Sequence, residues 1–480
     1  MNKAIARIFL VGAILFAALI VNLTYLQVIH ARALRDNPLN HRGLAQELKI
    51  DRGRILGFDG TPLVISVRKS GFYYRRYPQG SLAAQTIGYD SVALGHSGLE
   101  QSMNAVLTGQ SSLLGTQSVL DRLLGRRPHG ADVRLTLVPA VQKVAQQALT
   151  GKVGAIVALD PKTGAVIAIA SSPTYSLATV DDDWQRLRSD PGAPLLNRAT
   201  QGLYPPGSSF KVVTAAAGLD KGVVTPTTIF HDTGTYVVYG GKITNYHGEI
   251  VGTIDFTRAL TYSINTVFAA VGVQIGQNDM VAAMMKFGFW QVPPLELPGG
   301  SVLASGRYEK GTIVSPEAKL NPLQVAAMAI GQEQLVATPL QMALAAAAVA
   351  NGGTIMKPYL VQQVIAPNGT VVQSAAPQTW QTAMTPSTAA TLNLMMQQVV
   401  NSGTGTAAAL QGIKVAGKTG TAETSRPGVN QAWFIAFAPA DDPKIAICVS
   451  IENVSVTGGE VAAPLAAQVM RAALAQPSLP

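Results

Sequence analysis

Residues 412–421 read GIKVAGKTGT, and this stretch matches two unrelated motifs. From Gly412 to Thr419 it fits G-x-x-x-x-G-K-T, a loop that binds nucleotide phosphates. From Lys418 to Gly420 it fits K-T-G, one of three short motifs that surround an active-site serine in a class of acyl-transfer enzymes. The two motifs require different neighbouring structure, so the rest of the chain decides between them and, with them, the fold.

The neighbouring sequence argues against a phosphate-binding loop. Such a loop follows a buried strand and leads into a helix that starts at its Lys-Thr pair. Here the motif's interior, IKVA at 413–416, is itself strand-like, and GTAETSRPGVN at 420–430 has no helical period. The GTGTAA at 403–408, a loose dinucleotide fingerprint, follows a helical segment rather than a strand and fails for a similar reason.

The acyl-transfer set is complete. It requires a serine with a lysine one helical turn later, then S-x-N, then K-T-G. PPGSSFK at 205–211 supplies Ser208 and Lys211, SIN supplies Ser263 and Asn265, and the third motif begins at Lys418. All three motifs therefore occur in the required order.

Each motif alone is a weak signal, because the same chain holds a second set in the same order: Ser66/Lys69, Ser102/Asn104 and Lys162–Gly164. Local patterns separate the two sets. LVISVRK at 63–69 is strand-like, and residues three apart on a strand point to opposite faces. The 102/104 pair lies in a predicted helix, where residues two apart diverge, and DPKTG at 160–164 is a hairpin turn with a solvated lysine.

Ser208 and Lys211, by contrast, follow Pro-Pro-Gly at the head of an alanine-rich helix, which places residues i and i+3 on one face. A serine hydroxyl needs an adjacent base to act as a nucleophile. No histidine has useful spacing, so Lys211 is the candidate base, its pKa lowered by burial beside a second cation such as Lys418. Ser263 can relay a proton to the departing amine, and the Asn265 amide can hold a substrate carbonyl.

The third motif predicts how the substrate is held. Lys418 supplies positive charge, and Thr419 and Thr421, two residues apart on a strand, can bind a terminal carboxylate. Gly420 lets a peptide backbone approach closely. The helix start at Ser208 directs backbone N–H groups at the oxyanion that develops during attack. Together these residues predict a peptide-like substrate that ends in a carboxylate.

Charge and hydropathy indicate an exported, membrane-anchored protein. Of the 480 residues, 1–150 hold 17 Lys+Arg against 8 Asp+Glu, and 151–480 are balanced. Ile8–Ile29 carries no charge, and a helix of that length spans roughly 33 Å, enough to cross a bilayer core. A cleaved signal peptide is the alternative, because ARA at 31–33 resembles a cleavage site. Anionic lipid or wall polymer suffices to explain the basic region, so we predict no nucleic-acid partner.

Cysteine and histidine usage predicts neither a disulfide nor a metal site. Cys448 is the single cysteine and lies in the apolar run KIAICVSIE, where a buried inert thiol is expected. The six histidines show no ligand spacing. We expect no cofactor.

Strand-like runs flank a long helical middle. GAIVALD and AVIAIA at 154–170 form a predicted hairpin, the patterns from about 205 to 400 are mostly helical, and three strand-like runs and a helix at 464–475 follow. Short connections within each group predict one mostly antiparallel five-stranded sheet, flanked by helices, with an all-helical subdomain packed against it. The fold class is α/β of the α+β type. We predict a tail and anchor at 1–33, a strand-rich N-terminal domain at 34–150 and a catalytic domain at 151–480.

At this point the sequence resembles the class B penicillin-binding proteins, membrane-anchored peptidoglycan D,D-transpeptidases, over nearly its whole length. The resemblance rests on four stretches beyond the third motif: DRGRILGFDGTPL at 51–63, LDPKTGAVIAIASSP at 159–173, PPGSSFK at 205–211 and VATPLQMALAAAAVANGG at 336–353. The compact N-terminal region is most similar to the actinobacterial penicillin-binding protein A group. One departure is Glu333 in GQEQLVATP, where the family pattern has glycine.

The resemblance implies specific roles and partners. Ser208 is the acylated serine and Lys211 its base, Ser263 and Asn265 form the second motif, and residues 418–421 form the third. The oxyanion hole maps onto the backbone N–H groups of Ser208 and Thr421. Implied partners are peptidoglycan stem peptides, β-lactam antibiotics, the cytoplasmic membrane, a membrane glycosyltransferase of the SEDS type, and division or elongation proteins. The N-terminus would lie inside the cell and the catalytic domain outside the membrane.

Two rival functions remain open on sequence. A β-lactamase, a carboxypeptidase or a β-lactam sensor would use the same residues but give the acyl-enzyme a different fate. The pre-domain of about 120 residues would be superfluous to a β-lactamase. A catalytically idle scaffold is the second rival, and the intact Ser208/Lys211 pair argues against it.

Overall fold

The first element of the computed structural model, which describes residues 2–30, 47–114, 129–424, 426 and 428–480, is a long apolar helix. Helix α1 spans Asn2–Thr24 and continues as a π-helical segment, Tyr25–Ile29. The stretch Lys3–Ile29 is long and apolar enough to cross a membrane, and among the described residues it is the one such helix. The possible cleavage site at 31–33 lies outside the described residues.

The N-terminal region is rich in short strands, as predicted. Its elements are β1 Ile55–Leu56, β2 Pro62–Lys69, β3 Phe72–Arg76, α2 Ala84–Ile87, β4 Asp90–Ser91, β5 Gly95–His96, α3 Gly98–Ser102, α4 Asn104–Leu107 and β6 Asp132–Leu135. A buried carboxylate organises its core, because Glu100 accepts from Arg52 at 2.7 Å and from Arg75 at 2.8 Å. This network ties the 98–107 segment to the strands.

The remainder of the chain alternates strands and helices. In chain order its elements are α5 Pro139–Ala148, β7 Gly154–Leu159, β8 Val166–Ser172, α6 Val180–Ser189, α7 Arg198–Gln201, α8 Lys211–Asp220, β9 Ile229–Asp232, β10 Thr235–Val238, β11 Gly241–Thr244, β12 Gly252–Asp255, α9 Phe256–Thr261, α10 Asn265–Ile275, α11 Gln277–Lys286, β13 Gly306–Glu309, β14 Thr312–Ile313, α12 Pro322–Ala329, β15 Leu335–Val336, α13 Pro339–Ala350, β16 Thr354–Met356, β17 Val361–Ile365, β18 Val371–Ser374, β19 Thr379–Thr382, α14 Pro386–Asn401, β20 Ala416–Glu423, β21 Asn430–Ala438, β22 Ile445–Val454 and α15 Gly458–Leu474.

The central sheet has five strands in the order β20-β21-β22-β7-β8, and every neighbouring pair is antiparallel. This confirms the predicted sheet, built from both ends of the region. Both faces are covered: alternate residues of β21, such as Trp433 and Phe434, enter two different apolar cores. Helices α5 and α15 pack on one face and α13 on the other. Strand β20, which carries the third motif, is an edge strand.

The middle of the chain is mostly helical, but it also contains short strands that the sequence patterns did not predict. Short strands form small sheets beside the helices, among them the hairpin β10–β11 and the pair β9–β12. The sequence pattern over 256–276 predicts one continuous helix, whereas in the structure it is broken between α9 and α10, where Ser263 adopts φ +64°. That break determines where the second motif lies.

A hairpin from the C-terminal part of the chain completes the N-terminal sheet. Its six strands run β18-β17-β6-β1-β2-β3, and β17 pairs with β6 in antiparallel fashion. Residues 361–374 therefore contribute to the N-terminal sheet although they belong in sequence to the predicted 151–480 domain. This pairing joins the two regions through backbone hydrogen bonds.

Candidate active site

The candidate nucleophile lies in a tight turn. Gly207–Phe210 is a 3₁₀ turn that leads directly into α8 at Lys211. Side chains three apart eclipse one another in a 3₁₀ turn, so Ser208 and Lys211 share one face. Gly207 has φ +51°, and a Cβ there would lie 2.7 Å from the Thr421 carbonyl oxygen. The residue before Ser208 must therefore be glycine.

Lys211 joins the first motif to the second. Its Nζ lies 2.6 Å from the Ser263 carbonyl oxygen, 3.2 Å from Ser263 Oγ and 2.7 Å from Asn265 Oδ1. The left-handed backbone at Ser263 turns both its carbonyl and its hydroxyl toward the lysine. Asn265 Nδ2 donates one hydrogen to the Thr244 carbonyl at 3.0 Å, which leaves its second N–H free for a ligand.

Strand β20 brings the third motif against the nucleophile turn. A Cβ on Gly420 would lie 2.9 Å from the Pro206 carbonyl oxygen and 2.9 Å from the Ser209 nitrogen, so only glycine permits this approach. Thr419 is buried, and its hydroxyl lies 2.6 Å from that of Thr404. Thr421 is half-buried and accepts the Gly458 N–H at 3.2 Å.

Two lysines are buried together in this site. Lys211 and Lys418 are both 0% exposed, and neither makes an ion pair with any carboxylate among the described residues. Burial, followed by the charge of Lys418, lowers the pKa of Lys211 well below its ordinary value. Burial lowers the pKa of Lys418 to about 7. The protein interior thus disfavours the charged form of both amines.

A neutral Lys211 is suited to act as a base. A neutral amine has two N–H donors and one lone pair, and the Ser263 carbonyl and Asn265 Oδ1 accept two hydrogen bonds from this nitrogen. The remaining lone pair can accept a proton, and the Ser263 hydroxyl, 3.2 Å from the nitrogen, lies within hydrogen-bond distance of it.

The first motif lies on the 207–210 turn and the start of α8, the second at the break between α9 and α10, and the third on edge strand β20. The alternative set is dispersed: Ser66 and Lys69 lie on β2, and Ser102 donates to the Glu296 carbonyl at 2.8 Å. Lys162 is exposed in the β7–β8 turn and pairs with Asp442. Gly417-Lys418-Thr419 runs within strand β20 and not into a helix, which excludes a phosphate-binding loop.

Sequence analysis missed the residues that hold the nucleophile turn. Trp433 lies opposite Gly420 in the sheet, and its Nε1 donates to the Pro205 carbonyl at 2.8 Å. Tyr204 donates to Glu452 at 2.6 Å, and Arg198 donates to the same carboxylate oxygen at 2.8 Å. No short spacing links these residues in sequence, because they converge only through the sheet.

The departure at Glu333 has a structural correlate. Glu333 adopts φ +61°, a region that favours glycine, and the next residue, Gln334, has φ +59°. The Glu333 carboxylate accepts from Gln324 Nε2 at 2.8 Å, which helps to hold the strained backbone. Nearby, the Gly331 carbonyl accepts the Gly207 N–H at 3.0 Å, so this loop supports the nucleophile turn.

The described part of the chain offers neither a metal site nor a reactive cysteine. No cluster of three His, Cys, Asp or Glu side chains suited to a metal occurs there. Cys448 is fully buried in β22, and burial raises the pKa of its thiol well above the ordinary value. A protonated, enclosed thiol does not act as a nucleophile.

Comparison with known families agrees with this geometry. Residues 154–471 match the penicillin-binding protein transpeptidase domain, and residues 52–133 match the penicillin-binding protein A dimerisation domain. The chain belongs to the penicillin-binding protein transpeptidase family. The family match contains all three motifs and the whole five-stranded sheet.

Individual members of this family are similar over the full chain. The peptidoglycan D,D-transpeptidase PbpA of Mycolicibacterium smegmatis is 36% identical and both chains are covered completely. The enzyme of the same name from Mycobacterium tuberculosis is 34% identical, with 99% of each chain covered. The structure of M. tuberculosis penicillin-binding protein A as a ceftriaxone acyl-enzyme has a TM-score of 0.82 at 32% identity, covering 89% of this chain and 99% of that one.

Proposed function

We propose that Ser208 is the residue through which this serine-type peptidoglycan D,D-transpeptidase forms its acyl-enzyme, with Lys211 as the base. One observation carries the proposal: Lys211 is fully buried beside Lys418, pairs with no carboxylate in the described part of the chain, and donates to the Ser263 carbonyl and Asn265 Oδ1. That setting lowers the pKa of the amine and favours its neutral form. Burying an amine costs free energy, and a lysine that served only to fill space would bring no function that offsets this cost.

The first half-reaction transfers an acyl group to Ser208. Lys211 Nζ takes the hydroxyl proton while Oγ attacks the carbonyl carbon before the terminal D-residue of a stem peptide. The carbonyl becomes an oxyanion, held by the backbone N–H groups of Ser208 and Thr421. When the oxyanion collapses, the C–N bond breaks and the departing amine takes a proton through Ser263. An ester on Ser208 and a free D-amino acid result.

The second half-reaction forms the cross-link. The amine of a second stem peptide attacks the ester, Lys211 and Ser263 remove its proton, and that proton returns to Ser208 Oγ as the ester bond breaks. Asn265 offers its free N–H to a substrate carbonyl. Thr419, Thr421 and Lys418 form the candidate carboxylate site, where Thr421 is the more accessible of the two threonines. Acylation of Ser208 by β-lactams follows from the same chemistry.

The cellular arrangement is also part of the proposal. Helix α1 would anchor the chain in the cytoplasmic membrane with its N-terminus inside and the catalytic region outside. We divide the chain into an anchor at 1–33, an N-terminal domain at 34–150 and a transpeptidase domain at 151–480, consistent with the two family matches. A SEDS-type glycosyltransferase and division or elongation proteins are the proposed partners, inferred from the resemblance of the chain to class B enzymes.

The test is to locate a penicillin adduct. The full chain in detergent is treated with fluorescent penicillin, digested and sequenced by mass spectrometry. We expect a long-lived adduct on Ser208 that is lost in Ser208→Ala and in Lys211→Met. Matched controls are Ser209→Ala, which changes the neighbouring serine, and Lys162→Met, which changes the exposed lysine of the alternative K-T-G. Both should keep the adduct.

The pH dependence of acylation gives a second readout. Because the pKa of Lys211 is lowered, the amine is neutral above that pKa and protonated below it. The acylation rate should therefore fall as the pH is lowered and remain high toward alkaline pH. Intact penicillin with no adduct on a folded chain would refute the catalytic proposal, and rapid turnover of penicillin would indicate a β-lactamase instead.

A further inference from the structure

Large apolar side chains are exposed on the segment that precedes the second motif. Val237 is 72% exposed, Tyr239 71%, Tyr246 52% and Ile250 69%. We call these four residues the hairpin surface, because they lie on the β10–β11 hairpin and the loop that follows it. All four lie within one segment, 237–250, and several exposed apolar side chains on one segment indicate a binding surface more strongly than a single one does.

The hairpin surface is held by a buried carboxylate. Asp232, only 6% exposed, accepts from the Thr266 hydroxyl at 2.6 Å and from Asn245 Nδ2 at 3.0 Å. It also accepts the backbone N–H groups of Gly234 at 3.0 Å and Val251 at 2.9 Å, and these hydrogen bonds hold its pKa below the ordinary value. The segment that bears the exposed side chains is therefore tied down at both ends.

The same contacts join the hairpin to the active site. Asn245 Oδ1 accepts the Thr266 N–H at 3.1 Å, and Thr266 follows Asn265 directly. The Thr244 carbonyl accepts from Asn265 Nδ2 at 3.0 Å. Strand β11 of the hairpin therefore ends at Thr244, which hydrogen-bonds the second motif, so the segment that carries the hairpin surface adjoins the proposed substrate site.

We propose that the hairpin surface binds the part of the peptidoglycan strand that lies beyond the reacting peptide ends, through its sugar rings and the attached portion of its stem peptide. This inference rests on the proposed function, because it extends the same substrate site. The two tyrosines present aromatic rings that pack against the apolar faces of sugars while their hydroxyl groups remain solvated. Lys242 pairs with Val237 across the hairpin and is exposed beside it, where it can neutralise a stem-peptide carboxylate.

A protein partner is the competing occupant of such a surface, and continuity with the substrate site favours the strand. The substrate is a polymer, so when a stem peptide reaches Ser208 the rest of its strand must lie against surfaces that adjoin the site. The hairpin surface is such a neighbour.

The test measures binding without catalysis. Full-length protein carrying Ser208→Ala is titrated with un-cross-linked peptidoglycan strands, and the triple change Val237→Ser, Tyr239→Ser, Tyr246→Ser is compared with it. We expect the triple change to weaken strand binding by about tenfold or more, since each lost aromatic or apolar contact contributes a fraction of that factor. The matched control is Leu394→Ser on α14, which removes a side chain that is 65% exposed elsewhere and should leave binding unchanged.

A second measurement separates binding from positioning. Penicillin carries no glycan strand, so its rate of acylation in protein that retains Ser208 reports the geometry of the active site, including Asn265, without any contribution from the strand. Unchanged strand affinity in the triple variant would overturn the proposal and leave a protein partner as the occupant. A parallel fall in penicillin acylation would overturn it too, because the hairpin would then act by positioning the second motif. Failure of the unsubstituted chain to react with penicillin refutes the proposed function, whereas strand affinity of the Ser208→Ala protein still decides the role of the surface.

Discussion

Replacing Lys418 by methionine should stabilise the fold at low pH while removing activity. Lys418 is 0% exposed and forms no ion pair with a carboxylate in the described part of the chain, and its burial lowers its pKa from 10.5 to about 7. Methionine has similar length and no charge, so it fills the same space with little strain. The change isolates the cost of burying the charge.

The size of the effect follows from the two pKa values. In the unfolded chain Lys418 keeps its proton up to about pH 10.5, whereas in the folded chain it releases the proton above about pH 7. The unfolded state therefore binds more protons between these values, so stability rises with pH across that window. Below pH 7 the buried charge costs roughly 5 kcal/mol, and at pH 9 roughly 2 kcal/mol of that cost remains.

The assay is urea unfolding of the full chain in detergent at pH 6, 7.5 and 9, followed by tryptophan fluorescence. We expect the stability advantage of Lys418→Met over the parent to shrink by roughly 3 kcal/mol between pH 6 and pH 9. Loss of the hydrogen bond from Lys418 Nζ to the Thr419 carbonyl, 2.9 Å long, adds a cost that does not depend on pH. Only the change with pH is therefore diagnostic.

Two features sharpen this test. Removing Lys418 also raises the pKa of Lys211, because the Lys418 charge contributes to its depression, and this acts in the same direction. Lys162→Met changes an exposed lysine and should show no comparable trend. A stability difference between Lys418→Met and the parent that stays constant from pH 6 to pH 9 would refute the reasoning that Lys418 is charged at a cost.

Two further predictions concern the nucleophile turn. Trp433→Phe removes the donor to the half-buried Pro205 carbonyl, so we expect penicillin acylation to slow by about fivefold. Stopped-flow rates equal to those of the parent would contradict the positioning role. Glu333→Gly and Glu333→Ala both lose the contact with Gln324, but only glycine relieves the left-handed backbone. The free energy of unfolding in urea should therefore be about 1 kcal/mol higher for the glycine variant than for the alanine variant. Equal unfolding midpoints would show that the backbone at this position is unstrained.

Local sequence patterns were sufficient to predict most helices and strands and the residues of the acyl-transfer motifs. The β7–β8 hairpin and the three C-terminal strands follow from periodicity and turn residues that act over a few positions. Ser208 and Lys211 were separable from Ser66 and Lys69 because helix and strand place residues three apart differently. The span of α1 likewise depends only on a run of apolar residues.

Features that depend on contacts between residues far apart in sequence could be seen only in the tertiary structure. The break at Ser263 was predicted as continuous helix, because its left-handed backbone is held by tertiary contacts that outweigh local propensity. The β17–β18 hairpin joins the N-terminal sheet, and Trp433 reaches Pro205, through pairings that leave no mark on nearby sequence. The fold class and the three motifs could be predicted because their signals are local. The motif order suggested Lys418 as a second cation beside Lys211, some 200 residues away, but only packing buries the two amines together, and such burial is what lowers a lysine pKa.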